Sequence, residues 1–183
     1  MKKLLVKISI LTFIVAICII FIQSCCKESY KISSKVVHSG VWTLVNNGRL
    51  QVDTVKSNFI ISTDFEVKVS GLGRNFIGIN SAYATTCKKT FLNYLVPQSF
   101  TLTINKPFLY NNDTVNTNEN LIKLPNVIPQ IYAEFGGAEV RFPQEFINNA
   151  KFQPGYYKFT INGMTTDSIK LTNSIQVYIN LGI

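Results

Sequence analysis

The segment Asp64-Phe65-Glu66-Val67-Lys68-Val69-Ser70 carries the pattern that decides the fold. Its apolar side chains occupy every second position, and charged or polar side chains occupy the positions between them. Because successive side chains of a strand point to opposite faces of a sheet, one face of this segment would be apolar and the other polar. The alternation predicts a half-buried antiparallel strand.

The same alternation returns in later segments, and short turn signals separate the apolar runs. The alternating segments are residues 100–104, 156–161 and 175–181. The dipeptides Asn47-Gly48, Gly136-Gly137 and Asn162-Gly163 predict turns, because these residue types tolerate the positive φ angles of hairpin turns. In total, about nine to eleven short strands are expected.

This spacing of short strands is typical of an antiparallel β-sandwich of the immunoglobulin-like kind, so the sequence predicts an all-β fold. A β-barrel is the alternative. Residues 143–150 are the one helical candidate of the mature chain, because Pro143 suits a first helical turn. Residues 110–120 are rich in asparagine and threonine and predict an exposed loop. Pro125 and Pro129 predict a turn that interrupts strand pairing.

Residues 1–24 predict a secretory signal peptide that is removed on export. Lys2, Lys3 and Lys7 form a basic start, and residues 8–22 form an almost unbroken apolar run. A helix that spans a membrane usually needs about 20 apolar residues, and this run is shorter. An uncleaved membrane anchor is the alternative.

The apolar run ends in Ile22-Gln23-Ser24-Cys25, which is similar to the lipobox of bacterial lipoproteins. That resemblance implies cleavage before Cys25, diacylglycerol on its thiol and an acylated amine, so Cys25 is the predicted lipidation site. Gln23 departs from the small residue that is usual at its position. Two or three acyl chains anchor a protein stably, whereas one chain is marginal, so we expect membrane attachment through this lipid. The alternative is that Cys25 is an ordinary apolar residue at a helix end.

The mature chain is expected to form one β-sandwich domain, residues 41–183, behind a lipidated N-terminus and tether, residues 25–40, which leads into a first strand near residues 34–37. Removing residues 1–24 removes three lysines and no acidic residue, which lowers the net charge from +8 to +5. The remaining positive charge is spread along the chain without a long run of Lys or Arg. We therefore expect no nucleic-acid partner.

Cys26 and Cys87 are the cysteines that remain after signal removal and lipidation. Exported proteins meet an oxidising environment in which disulfides form and persist. We expect a disulfide between Cys26 and Cys87 that ties the anchored end to the domain. Two free thiols, with Cys87 buried as a small apolar residue, are the alternative.

No residue pattern points to catalysis, a metal site or a cofactor, so the chain is not expected to be an enzyme and none of these is assigned. His38 is the one histidine, and we expect it to be a solvated surface residue. The G-x-S-x-G and H-E-x-x-H motifs are absent from the sequence. Glu134 and Glu139 flank the Gly-Gly turn and are expected to face solvent, which does not identify a glycosidase pair. The glycine-rich segment 71–74 is interpreted as a turn, because its spacing fits no phosphate-binding loop.

Several segments of the mature chain resemble uncharacterised envelope lipoproteins of the Bacteroidota. They are the start Cys25-Cys26, the segment Phe76-x-x-x-x-Ser81-Ala82-Tyr83-Ala84 followed by Cys87, the strand Phe100-x-Leu102-x-Ile104, and Lys158-Phe159-Thr160-Ile161. The resemblance implies attachment to the outer membrane and a sandwich fold, and it implies no assigned chemistry.

The same resemblance implies O-glycosylation, because that group modifies Ser or Thr after Asp when an apolar residue or Thr follows. Three of the four aspartates stand in such a motif, which makes Thr54, Thr114 and Ser168 candidate acceptors. Thr114 is the best candidate, since it lies in the segment predicted to be an exposed loop. Ordinary strand-end aspartates are the alternative.

These observations favour a lipid-anchored outer-membrane or cell-surface protein that serves binding or structure. Tyrosines could offer stacking surfaces for a glycan, and those considered are Tyr83, Tyr94, Tyr110, Tyr132, Tyr156 and Tyr178. The first alternative is a subunit of a larger surface assembly that pairs with a partner through a sheet edge. A hydrolase is a weaker alternative. The sequence does not decide between the periplasmic and the external side of the membrane.

Overall fold

A computed structural model of the protein describes residues 27–45, 48–71 and 88–181. The chain divides into two compact units, one of Met1–Lys31 with Lys68–Leu92 and one of Ile32–Val67 with Asn93–Ile183. The signal peptide, all four cysteines and the segment 72–87 lie outside the described residues.

The described residues form mostly strands, with one short α-helix. The strands are β1 Lys27–Val45, β2 Gly48–Gln51, β3 Thr54–Val55, β4 Phe59–Gly71, β5 Lys88–Phe91, β6 Thr101–Ile104, β7 Phe108–Tyr110, β8 Asp113–Val115, β9 Ile128–Tyr132, β10 Gly137–Phe142, β11 Ala150–Lys151, β12 Gly155–Met164 and β13 Lys170–Ile179. The helix α1 is Gln144–Asn149, and single 3₁₀ turns lie at Pro97–Ser99 and Leu121–Lys123. The helix lies within the segment predicted to be helical and follows Pro143 directly.

The first unit contains a parallel pair of strands. The first residues of β1 pair with β5 in the register Lys27↔Lys88 to Tyr30↔Phe91. The rings of Tyr30 and Phe91 lie 5.2 Å apart, and the backbone N–H of Leu92 donates to the carbonyl oxygen of Tyr30 at 2.8 Å. The beginning of β1 is therefore held by β5 through both backbone and side chains.

The second unit is a β-sandwich, as predicted from the sequence. One sheet has the order β2-β1-β4-β10-β9, and the other has the order β3-β13-β12-β6. The registers are antiparallel for β2 with β1, for β10 with β4 and β9, and for β12 with β13 and β6. The two-residue strand β3 pairs in parallel with β13. A small third sheet has the order β11-β7-β8.

Aromatic residues fill the core of the second unit. Phe142 has its ring centroid 4.5 Å from that of Phe59, 5.0 Å from that of Phe146 and 6.2 Å from that of Phe159. All four residues are at most 2% exposed. Burial of an aromatic side chain removes a large apolar area from water, and tilted ring pairs add to that stabilisation. These four rings therefore form a tightly packed centre of the core, in which residues of both sheets and of α1 meet.

β1 begins at Lys27 and includes the strand predicted near residues 34–37, so residues 27–33 form a strand where the sequence predicted a polar tether. The buried side chain of Asn93 explains part of this difference. Its Oδ1 accepts from the backbone N–H of Ile32 at 2.7 Å, and its Nδ2 donates to the carbonyl oxygen of Ile32 at 3.0 Å. A polar segment that gains partners for its backbone groups can form a strand without a strong apolar pattern.

The dipeptide Asn162-Gly163 does not form the predicted turn. β12 continues through both residues to Met164, and the chain turns later, where Ser168 has a φ of 65°. A Cβ atom on residue 163 would lie 2.7 Å from the ring of Phe100. Glycine is therefore needed at this position for close packing of an aromatic ring against the strand, and not for a positive φ angle.

Residues 110–120 contain a hairpin where the sequence predicted an exposed loop. β7 and β8 pair Tyr110 with Asp113, and the connecting Asn111 and Asn112 have φ angles of 52° and 68°. Asparagine adopts this left-handed region more readily than most residues, and two such residues in succession suit a tight hairpin turn. Tyr110 is only 4% exposed, so this segment contributes to the core.

The remaining turn predictions are partly correct. The predicted hairpin around Gly136-Gly137 is confirmed, because β9 and β10 pair Tyr132 with Gly137 and Gly136 has a φ of 72°. Pro129 does not interrupt the ladder, since it pairs with Val140 inside β9. β9 is an edge strand, where a residue without an N–H is tolerated. The hairpin of β1 and β2 is also confirmed, although residues 46 and 47 of its turn lie outside the described residues.

Candidate functional site

The second unit contains an open cleft of about 610 Å³. It lies beside the β7–β8 hairpin, β11 and the start of β12. Its lining residues are Lys106, Pro107, Phe108, Leu109, Thr114, Lys151, Phe152, Gln153, Pro154, Gly155 and Tyr157. This volume falls within the range of pockets that hold small ligands in proteins.

Three aromatic rings that pack against one another form part of the cleft lining. Phe108 and Phe152 stack with their ring centroids 4.2 Å apart, and Phe152 meets Tyr157 edge to face at 5.4 Å. The hydroxyl of Tyr157 donates to the carbonyl oxygen of Gln153 at 2.9 Å, which fixes the turn before β12. Burial raises the pKa of Tyr157, and the hydrogen bond to Gln153 opposes this shift only in part. The hydroxyl of Tyr157 is therefore neutral at physiological pH.

Two lysines give the cleft a positive charge. The ammonium group of Lys106 lies 5.5 Å from the centroid of the Tyr157 ring, in cation–π contact. The ammonium group of Lys151 donates to Oδ1 of Asn112 at 3.1 Å. Among the described residues, the cleft lining contains no carboxylate, so these residues do not neutralise the charge of the two lysines.

Two tyrosines form an aromatic pair on the outer face of the second sheet. One of them, Tyr156, lies between two cleft-lining residues in the sequence. Tyr156 and Tyr178 are register partners on β12 and β13, and their rings meet edge to face at 5.1 Å. Tyr156 is 59% exposed. It follows Gly155 and precedes Tyr157, both of which line the cleft. The alternation of β12 thus directs Tyr157 to the core and Tyr156 to solvent.

Hydroxyl and amide side chains continue the outer face beyond the tyrosine pair. Thr160 and Ser174 bond across β12 and β13 at 3.0 Å, and Thr172 donates to Asn162 at 3.0 Å. These groups lie at register positions that follow the pair along the same two strands. Such a surface offers donors and acceptors beside an exposed aromatic ring.

Glu139 does not face solvent as the sequence predicted, because its carboxylate is buried against two partly exposed arginines. It is 6% exposed and forms ion pairs with Arg49 and with Arg141, the latter at 3.2 Å. The hydroxyl of Tyr132 donates to it at 3.5 Å. Burial alone would raise the pKa of Glu139, but the two arginines outweigh burial and lower it. Both oxygens of this carboxylate accept hydrogen bonds from these neighbouring side chains, so Glu139 has a structural role.

The structure leaves the predicted cysteine sites open and locates the candidate glycosylation sites. Cys25, Cys26 and Cys87 lie outside the described residues. Thr54 and Thr114 are exposed strand residues, and Thr114 also lines the cleft. Ser168 is exposed at the tip of a turn.

Asp167, in the motif that precedes Ser168, is engaged with the interior of the second unit. Its Oδ1 accepts from the Nδ2 of Asn93 at 2.9 Å and from the hydroxyl of Thr165. Asn93 and Thr165 are each 1% exposed. These hydrogen bonds give Asp167 a structural role, so its presence before Ser168 does not require O-glycosylation as an explanation.

The described residues contain no metal centre and no membrane-spanning helix. His38 is exposed, and its ring stacks on Trp42 with the centroids 6.1 Å apart. Within the described ranges, no group of three or more His, Cys, Asp or Glu side chains is placed to hold a metal ion. No helix in the same ranges has both the length and the apolar character needed to cross a membrane.

Comparison with known proteins assigns no family to the chain. No protein-family model matches it, and no curated protein matches it either. A solved structure named BspA_C_mut matches 77% of this chain and 46% of its own chain, with 12% identity and a TM-score of 0.28. The chain thus corresponds to less than half the length of that structure. A similarity at this score supports no inference about fold or function.

Proposed function

We propose that this protein is a lipid-anchored protein of the outer membrane whose β-sandwich binds glycans. The pair of the exposed Tyr156 and the half-buried Tyr178, on the outer face of the second sheet, carries the binding part of this proposal. A tyrosine ring offers an apolar surface to the C–H face of a sugar, and neighbouring hydroxyl and amide groups can bond its hydroxyls. The chain remains without an assigned catalytic residue or cofactor.

The lipid anchor rests on the sequence around Cys25. The basic start, the apolar run and the small residue before Cys25 meet the requirements for export and cleavage. Acyl chains on this cysteine would attach the mature protein to the membrane and leave its β-sandwich in the periplasm or on the cell surface. The protein is proposed to belong to the envelope lipoproteins that its sequence resembles.

The register of the first unit supports a disulfide between Cys26 and Cys87. Lys27 and Lys88 are partners in the parallel pair of β1 and β5, and each directly follows one of the two cysteines in the sequence. Neighbouring strands lie about 4.8 Å apart, which is within the Cα–Cα range that a disulfide can bridge. The bond would then fasten the lipidated end to β5.

Replacement of Cys25 by alanine is expected to abolish incorporation of an alkyne fatty acid fed to cells that express the full-length chain. Replacement of Cys26 by alanine is the matched control and should leave the label in place. Mass analysis of a non-reducing digest of the wild type should show an acylated peptide that starts at Cys25 and is linked to the peptide of Cys87. The same digest reports sugars on Thr54, Thr114 and Ser168. An unmodified N-terminus at Met1 would refute the lipoprotein assignment.

Replacement of Tyr156 by alanine is expected to weaken glycan binding about tenfold, because it removes the exposed ring of the pair. Binding is measured on an array of neutral and acidic oligosaccharides with the full-length protein in detergent micelles. Replacement of Tyr156 by phenylalanine keeps the ring and should keep most of the affinity. The matched control is Tyr94→Ala, since Tyr94 is 38% exposed and lies outside the cleft lining and the pair. The binding proposal fails if no glycan binds or if both alanine variants behave alike.

An exposed sheet edge supports a second candidate function, which is pairing with a partner strand in a larger surface assembly. All four residues of β2, Gly48–Gln51, are exposed, and Leu50 is exposed to 58%. An edge strand presents unpaired backbone groups that a strand of another chain can bond. The glycan array separates the two candidates, because pairing at β2 would not depend on Tyr156.

A further inference from the structure

The cleft beside the β7–β8 hairpin combines an apolar lining with a positive charge. Its exposed apolar residues are Pro107, Leu109 and Pro154, and its charged residues are Lys106 and Lys151. Its volume of about 610 Å³ suits a small molecule. A lysine ammonium group is a compact charge that attracts an anion without a strict demand on geometry. The lining therefore suits a small ligand that has both an acidic group and an apolar body.

Two distances place the ammonium group of Lys106 at the wall of this cleft. Its Nζ lies 5.5 Å from the centroid of the Tyr157 ring and 3.8 Å from the position that a Cβ atom on Gly155 would occupy. Tyr157 and Gly155 both line the cleft. An acidic group inside the cleft, next to the start of β12, is therefore within reach of Lys106.

Apolar side chains continue along the lining from this charge. The ring of Tyr157 meets that of Phe152 at 5.4 Å, and Phe152 stacks on Phe108 at 4.2 Å. These three rings are at most 4% exposed, so they form a closely packed wall, and Leu109 adds apolar surface that is 39% exposed. A ligand bonded to Lys106 therefore has apolar surface beside its acidic group.

The two lysines of the cleft differ in how their ammonium groups are engaged. Lys151 donates to Oδ1 of Asn112 at 3.1 Å, and Asn112 does not line the cleft. Lys106 contacts the ring of Tyr157, and no described carboxylate forms an ion pair with it. Lys106 is therefore the cation available to an acidic ligand, and Lys151 offers a comparison of equal charge in the same lining.

We infer that the cleft binds a small apolar carboxylate, whose acidic group bonds to the ammonium group of Lys106 while its hydrocarbon body lies against the apolar lining. The site is separate from the tyrosine pair, so this inference goes beyond the proposed function. A charge-assisted hydrogen bond is stronger than a bond between neutral groups, and burial of the hydrocarbon body adds to it. The site should therefore discriminate against a neutral compound of the same shape and against an anion without an apolar body.

The test compares phenylbutyrate with its neutral amide, phenylbutyramide, and with acetate by calorimetric titration of the full-length protein in detergent micelles. Titration into protein-free micelles is the blank. The wild type should bind phenylbutyrate at least about tenfold more tightly than the amide at low salt, because hydrogen bonds to charged groups are the stronger kind. It should bind acetate at least about tenfold more weakly than phenylbutyrate, since acetate buries little apolar area.

Lys106→Met should bind phenylbutyrate no more tightly than the wild type binds the amide, because the change removes the charge and keeps an unbranched side chain. Lys106→Arg restores a cation and should recover most of the affinity. Lys151→Met is the matched control, since it removes the same charge from the same lining. It should change the affinity by less than about threefold, as expected for an exposed charge without direct contact. Far-ultraviolet circular dichroism of each variant verifies that the fold is retained.

Equal affinity of the wild type for phenylbutyrate and its amide overturns the inference. Acetate binding as tight as that of phenylbutyrate also overturns it, because it identifies a site for simple anions. Equal losses in Lys106→Met and Lys151→Met overturn it as well, because they indicate attraction by overall charge, and so does absence of binding of all three compounds. None of these results affects the glycan proposal, because Tyr156 does not line the cleft.

Discussion

Replacement of Phe142 by alanine is expected to lower the free energy of unfolding by about 3–5 kcal/mol, the range for truncation of a fully buried phenylalanine. Phe142 is 1% exposed and touches three other aromatic rings, those of Phe59, Phe146 and Phe159. These rings come from strands of both sheets and from α1, so no single element can move to fill the space that the ring leaves. Such a loss is a large part of the stability of an ordinary domain, which is about 5–15 kcal/mol. Urea unfolding monitored by circular dichroism measures the change.

Phe135 provides the matched control for this prediction. It is the same residue type in the same unit, but it lies in the turn between β9 and β10 and is 73% exposed. Phe135→Ala should change the unfolding free energy by less than about 0.5 kcal/mol, as surface substitutions usually do. A similar loss in both variants would mean that Phe142 is not at the centre of the core.

The all-β fold follows from the sequence because side-chain alternation and strand geometry share one period. Phe65 is buried and Glu66 half-buried, as the alternation of their segment predicts, whereas Val69 at its far end is 40% exposed. The alternation of side chains within one segment does not show where the neighbouring strand ends, so it could not predict the exposure of Val69. The same limit explains Asn162-Gly163, where the partner that decides the conformation is Phe100, some sixty residues earlier in the chain.

The candidate site was only partly predictable. Tyr156 and Tyr178 were among the six candidate tyrosines. Because side chains alternate along β12 and Tyr157 points into the core, Tyr156 points to solvent. The cleft was not predicted, because its lining comes from residues 106–109, Thr114, residues 151–155 and Tyr157, which only the fold brings together. Glu139 was misplaced for a related reason. Its arginine partner Arg49 lies ninety positions earlier in the sequence, and only such a partner makes burial of a carboxylate tolerable.

Replacement of Glu139 by glutamine is expected to lower the unfolding free energy at neutral pH by about 1–3 kcal/mol. The change keeps the shape of the side chain and removes its charge, so Arg49 and Arg141 lose their acidic partner. Removal of one member of a fully buried ion pair would have a larger effect. Here the two arginine side chains are 40% and 37% exposed, and solvent compensates for part of the loss. Urea unfolding of both proteins at neutral pH measures the difference.

The pH dependence of this loss distinguishes electrostatic pairing from packing. The pKa of Glu139 is lowered in the folded protein, so its stabilisation is complete above the ordinary value of 4.5 and is lost as the pH falls through the lower folded value. The difference between the wild type and Glu139→Gln should therefore shrink below about pH 4, whereas a packing defect would persist there.

Asp64 on the neighbouring strand β4 gives a control of opposite sign. Burial raises its pKa above 3.8; His38 opposes this shift, and Glu139 adds to it. The stability that depends on this protonated carboxyl is complete at low pH and is lost as the pH rises through the raised folded value. Asp64→Asn does not titrate, so it should gain stability relative to the wild type as the pH rises. If both variants showed the same pH trend, the opposite pKa shifts of the two carboxyls would be refuted, and with them the assignment of Arg49 and Arg141 as the partners that hold Glu139 ionised inside the protein.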